Sequence, residues 1–106
     1  MYEYKAKVIR VVDGDTIDVL LDLGFHISFE TKLRLFGINT PELKEEAGKI
    51  ARDRLKEKID GKEITVYTIK DKQEKYGRYL ARVKLAEEDI NEWLVSEGLA
   101  QRYMVG

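Results

Sequence analysis

The run "KAKVIRVVDGDTIDVLLDL", Lys5 to Leu23, carries two β-rich stretches around one Asp-Gly pair. An Asp-Gly at 13–14 between such stretches is among the strongest short hairpin signals, because glycine takes positive φ freely. The chain is therefore expected to begin as an antiparallel hairpin turning at Asp13-Gly14. Gly24 ends the second stretch, and "SFETKLRLFGI" (Ser28–Ile38) predicts a third strand in which Leu33 and Leu35 alternate with Lys32 and Arg34. His26, the only histidine, falls in the connection and reads as a polar hairpin residue.

After Thr40-Pro41 the apolar period lengthens. Leu43, Ala47, Ile50, Ala51, Leu55 and Ile59 recur at three- and four-residue steps, the pattern of an amphipathic helix. Taken locally, Thr40 suits a helix cap, Pro41 the first helical position and Glu42 the first turn. Asp60-Gly61 stops the helix. "KEITVYTIK" (Lys62–Lys70) predicts a fourth strand and "YGRYLARVKLA" (Tyr76–Ala86) a fifth, joined by the polar stretch 71–75. Asp89 and Glu92 then form a capping-box pattern before the apolar face of Ile90, Trp93 and Leu94, with Gly98 as a C-terminal stop.

The order is β-β-β-α-β-β-α. This is a mainly β chain with helices (α+β), expected to fold as a five-stranded OB-fold Greek-key barrel with two helices and to form one domain over residues 1–106. Topology of this kind does not by itself give a function.

Composition narrows the chemistry. The absence of Cys rules out disulfides, thiolate nucleophiles and Cys-ligated zinc. A single His makes a histidine-pair metal site or a Ser-His-Asp triad hard to build. Lys and Arg total 19 against 20 Asp and Glu, so polyanion binding has to come from a local cluster and not from net charge. No apolar run reaches membrane-spanning length, and Met1–Lys7 has no signal-peptide pattern, so no membrane partner is expected; the compartment stays open, cytoplasmic as the sequence stands and secreted if a signal was removed.

Three stretches carry candidate chemistry. "DGDT" (Asp13–Thr16) offers carboxylates at a turn, although Asp-Gly is common in turns for conformational reasons alone. "KLRLFGINTPE" (Lys32–Glu42) offers Arg34, either solvated on the outside of a sheet or aiming its planar fork at a phosphate, together with Glu42. "KYGRYLARV" (Lys75–Val83) places Lys75, Tyr76 and Arg78 within four residues, with charge for phosphate and a ring for base or sugar.

In this order and on these elements, "VVDGDTI", "LRLFGINTPE", "KYGRYLARV" and "NEWLVSEGLA" make the chain resemble the staphylococcal nuclease (thermonuclease) family from Lys5 to about Tyr103. The resemblance implies a calcium-dependent endonuclease that cuts single-stranded DNA or RNA, and duplex less well. It implies 3′-phosphate and 5′-hydroxyl products. By this resemblance Asp15 is a metal ligand, Asn39 stands where the family has a second metal-binding aspartate, and Thr40 offers its backbone carbonyl. Glu42 positions or deprotonates the attacking water. Arg34 and Arg78 hold the scissile phosphate, and Lys75 and Tyr76 contact the neighbouring one.

The chemistry is coherent. Attack on a phosphodiester adds charge to its non-bridging oxygens, which a cation and two guanidinium forks can neutralise. Calcium takes oxygen ligands, in keeping with a chain that has no Cys and no His pair. Asn39 keeps an oxygen but brings no charge, so weaker calcium binding is expected, with Asp13 a candidate to compensate. The nucleotide-facing tyrosines of longer relatives have no clear match here, Tyr103 lying nearest. The alternative reading is a catalytically weakened OB-fold module that binds single-stranded nucleic acid or a protein. A monomer is expected.

Overall fold

The computed structural model describes residues 2–73 and 78–103. The Asp13-Gly14 turn joins β1 (Tyr2–Asp13) to β2 (Thr16–Asp22), with Val8 opposite Val19 and Asp13 opposite Thr16. β1 is irregular between Val8 and Arg10 and between Val11 and Asp13, where the long strand bends between its two neighbours. β2 continues antiparallel into β3 (Ser28–Leu35), from Asp22 opposite Ser28 to Thr16 opposite Arg34. A two-residue β4 (Ile38–Asn39) precedes α1 (Glu46–Ile59).

β5 (Glu63–Gln73) returns antiparallel to β1, and β6 (Tyr79–Leu85) antiparallel to β5. β6 also lies parallel to β3 at Leu33–Leu35, and this contact closes the five long strands into a barrel. β7 (Glu88–Asp89) leads into α2 (Ile90–Ser96), and β8 (Gln101–Arg102) pairs with β4. The element order is that of an OB-fold with two helices.

Alternation along the strands sends one face inward. Ile17, Val19, Leu33, Leu35, Val66 and Val83 are fully buried, and Leu55 and Ile59 of α1 with Ile90 and Leu94 of α2 close the core. Asp89 caps α2, its Oδ1 accepting the Glu92 N–H at 3.0 Å. The reciprocal half of the capping box is replaced, because the Glu92 carboxylate binds Arg102 through two contacts of 2.8 Å. At the other end Gly98 has φ +74°, and the Leu99 N–H reaches the Leu94 carbonyl, a Schellman closure.

Asn91 is buried, and no motif in the sequence marks it. Its Oδ1 accepts the Val83 N–H at 3.1 Å, and its Nδ2 donates to the Phe36 and Ala81 carbonyls at 2.9 and 3.2 Å. It ties α2 to β6 and to the residue following β3, which fixes the wall leading to Asn39.

Several expectations are corrected. The third strand stops at Leu35, because Gly37 at φ +81° breaks it before β4. β1 begins earlier than Lys5, β5 runs on to Gln73, and β6 starts at Tyr79. Thr40 does not cap α1 and Pro41 is not its first residue: the helix begins at Glu46, with Glu45 at the cap position. Its inner face is Gly48, Ala51, Leu55 and Ile59, while Ala47 and Ile50 are exposed. The phase is set at Gly48, where an added Cβ would overlap the Glu42 carbonyl.

The turn glycine is likewise needed for a reason other than positive φ. Gly14 is not among the positive-φ glycines. A Cβ on it would stand 2.8 Å from Thr40 Oγ1 and 2.9 Å from the Ala51 Cβ, so α1 and the strand end after β4 press directly on the turn. Gly14→Ala is expected to lower unfolding stability by about 1–3 kcal/mol, as overpacking does. Urea denaturation checks this, and an unchanged midpoint would mean the turn is not closely packed.

Candidate active site

Asp15 is the centre of the candidate site. It follows the turn at 7% exposure, so its carboxylate is largely removed from water and has to be satisfied by the protein. Oδ1 accepts the Thr16 hydroxyl at 3.2 Å, and Oδ2 accepts the Thr40 N–H at 3.2 Å. Arg34 Nη2 stands 3.4 Å from the same Oδ2. The Asp15 carbonyl also accepts the Leu35 N–H at 2.8 Å, which ties the turn to the end of β3.

Arg34 is not solvated on the outer face of the sheet. Its side chain is 14% exposed and curls over the strand end. Nη1 donates to the Leu35 carbonyl at 2.7 Å, and Nη2 to the Ile38 carbonyl at 2.9 Å. Nη2 also lies 3.4 Å from Asn39 Oδ1. A carboxylate oxygen and an amide oxygen, 24 residues apart in sequence, thus converge on one cationic nitrogen.

Arg78 approaches from the start of β6, donating from Nη1 to Thr16 Oγ1 at 3.0 Å. The Thr16 hydroxyl therefore links Arg78 to Asp15. In the sequence Thr16 looks like an ordinary β-branched strand residue, although its place directly after Asp15 and opposite Arg34 puts it between the two charges.

Asp13 completes the turn. Its Oδ1 accepts the Asp15 N–H at 3.0 Å. Burial, and then hydrogen bonding and repulsion from the Asp15 carboxylate, raise its pKa above the ordinary 3.8. The charged form of Asp13 is therefore disfavoured where it stands.

Glu42 is placed differently. Its carboxylate is 73% exposed and pairs with Lys44 Nζ at 3.2 Å, away from the Asp15–Arg34 cluster. Its backbone stays close, since its carbonyl accepts the Glu45 N–H at 3.0 Å. Lys75 and Tyr76 lie outside the described residues. The structure thus brings Asp15, Arg34, Asn39, Thr40 and Arg78 together and leaves the Glu42 side chain at the rim.

The donor chemistry suits a hard cation. The available ligands are the Asp15 and Asp13 carboxylates, the Asn39 amide oxygen and the Thr40 carbonyl, all oxygens. Asp15 and Asn39 already converge on a positive atom. Among the described residues no three His, Cys, Asp or Glu side chains gather in a metal-holding group, so the set is low in charge.

Residues 32–106 match the family model described as staphylococcal nuclease homologue, a span that contains Arg34, Asn39, Thr40, Glu42 and Arg78. The chain belongs to the staphylococcal nuclease family. Relatives in it include a thermonuclease of Staphylococcus hyicus, 38% identical over 93% of this chain and 59% of that protein. An uncharacterized endonuclease of Escherichia coli is 33% identical over 92% of this chain and 60% of that protein. A thermonuclease of Staphylococcus intermedius is 34% identical over 87% and 55%. The chain spans between 55% and 60% of the length of these curated relatives.

The raised Asp13 pKa makes a pH prediction for this family member. A carboxyl that binds its proton more tightly when folded favours folding as long as it is protonated. That contribution fades as pH rises above the unfolded value of 3.8 through the folded one. With chelator present, Asp13→Asn keeps the acceptor oxygen and is expected to be more stable than the parent at pH 7. The gap should close toward pH 3, as read by thermal unfolding across pH. A variant less stable at neutral pH would contradict the assigned strain.

Proposed function

We propose that the chain is a calcium-dependent endonuclease that hydrolyses phosphodiester bonds in DNA and RNA, preferring single strands and leaving 3′-phosphate and 5′-hydroxyl ends. The observation that carries this reading is the convergence of Asp15 Oδ2 and Asn39 Oδ1 on Arg34 Nη2, with Arg78 one hydroxyl away. Family membership supports it.

In this reading Arg34 and Arg78 supply two guanidinium forks to the scissile phosphate, lowering the cost of the charge that attack adds to its oxygens. Thr16 holds Arg78 in reach of that phosphate, and the Ile38 and Leu35 carbonyls orient Arg34. Asp15, Asn39 and the Thr40 carbonyl would hold the cation, with Asp13 adding charge beside them. A bound divalent ion supplies positive charge to the phosphate and makes a water more acidic.

Glu42 is assigned as the base that takes the proton of the attacking water. Its exposed pair with Lys44 belongs to a class worth about 0–1 kcal/mol, so little opposes a turn of the side chain toward the site when substrate arrives. Lys75 and Tyr76 are assigned to the neighbouring phosphate on the strength of the family pattern alone.

The exposed Glu42 carboxylate and the neutral Asn39 favour one second reading, a module that binds single-stranded nucleic acid without cutting it. The two readings separate under a chelator, which stops a nuclease and leaves simple binding unchanged.

Purified protein is expected to degrade heat-denatured DNA with added calcium. Glu42→Gln and Arg78→Lys should each lower kcat by about 10²–10⁴-fold. Denatured DNA left intact at high calcium would end the enzyme reading. A second outcome concerns Asn39: Asn39→Asp is expected to lower the calcium needed for half-maximal rate, because it restores ligand charge. Identical calcium curves would place Asn39 away from the metal.

A further inference from the structure

Beyond the site, a groove of about 250 Å³ runs on from Ile38. Phe36, Gly37 and Ile38 form one wall, and Arg82 and Arg102 stand across from them. Ile38 is shared ground, since its carbonyl accepts the Arg34 Nη2 and its backbone pairs with Arg102. The groove and the cluster of Asp15, Arg34 and Asn39 therefore share the Ile38 backbone as a common wall. Phe36 is three residues from Asn39, at most about 11 Å along an extended chain, which corresponds to one or two nucleotide steps.

The charges in the groove are unequal. The Glu92 carboxylate is held by both Arg102 nitrogens at 2.8 Å, and this pairing is the main cause that lowers the Glu92 pKa. Arg82 makes no ion pair with a described residue but attracts the same Glu92 carboxylate through space, and its guanidinium lies 6.0 Å from the centre of the Phe36 ring. The groove thus has one surplus positive charge beside a half-buried aromatic face. Asn91 stiffens the wall by holding the Phe36 carbonyl at 2.9 Å. A guanidinium over a ring, outside hydrogen-bond reach of any described carboxylate, suits a phosphate with an adjoining base.

We propose that this groove is a subsite for a nucleotide flanking the one cut, with Arg82 taking its phosphate and Phe36 packing against its base or sugar. The inference rests on the nuclease reading for its orientation, and it extends the recognised substrate to a single strand longer than a dinucleotide. Neither Arg82 nor Phe36 has a role in the family pattern described above. Arg82 is exposed, so its substitution leaves the core untouched.

The test measures binding of a fluorescein-labelled single-stranded dodecamer by anisotropy, in chelator, across a salt series. Arg82→Gln is expected to weaken binding about three- to tenfold and to reduce the slope of log affinity against log salt by about 0.7, the loss of one phosphate contact on a single strand. Lys7→Gln, an exposed cation on β1, serves as the control and should leave both unchanged. In the cleavage assay, Arg82→Gln should lower kcat/KM on the dodecamer and leave it unchanged on a dinucleotide. Binding unaffected by Arg82→Gln, or weakened equally by Lys7→Gln, would overturn the subsite. A dodecamer that is bound through Arg82 and never cut would overturn the nuclease reading and leave the subsite standing.

Discussion

A buried carboxylate in a tight turn is the constraint on which the rest of this molecule depends. Removing Asp15 from water is costly unless its oxygens are met, and here they are met by groups from three separate segments. Thr16 begins β2, Thr40 follows β4, and Arg34 lies near the end of β3. Satisfying one side chain therefore draws together the turn, two strand ends and the approach to α1. Gly14 permits the same convergence sterically, because any larger residue would push Thr40 and Ala51 away.

This arrangement gives structure and chemistry a common origin. The Asp15–Arg34 contact is largely excluded from solvent, with side chains 11% and 14% exposed, so it is screened less than a surface pair. Arg34 is further committed to two backbone carbonyls, which holds its fork in place before any substrate arrives. Preorganised charge of this kind is what a phosphodiester site needs. Burial disfavours the charged form of Asp13 beside Asp15, and a bound cation would offset that.

Much of the barrel was legible because strand alternation and turn chemistry agree. Leu33 and Leu35 are buried as their spacing predicts, and Asp89 and Gly98 bound α2 as cap and stop. The face of α1 was legible in part: Ala51, Leu55 and Ile59 turn inward as their spacing predicts. Hydrophobicity pointed to Ala47 and Ile50, but the helix turns Gly48 inward, since only a residue without a Cβ admits the Pro41–Glu42 backbone. A glycine chosen for close approach leaves no hydrophobic signal. Thr40 misled for a related reason: its composition suits a cap, but its N–H is taken by Asp15 from across the fold.

The site was readable as a set of residue types and not as a geometry. Asp15, Arg34, Asn39, Thr40 and Arg78 come together, whereas the Glu42 side chain stands outward on Lys44, which no local pattern announces. Thr16 and Asn91 act through hydrogen bonds whose partners are distant in sequence, so neither stood out beforehand. Whether Asp15 organises an oxygen site for a cation is read from calorimetric titration of calcium into the parent protein and Asp15→Asn at low salt. One binding event per chain is expected in the parent and none in the variant. Equal binding by both proteins, or no heat from the parent at millimolar calcium, would contradict it.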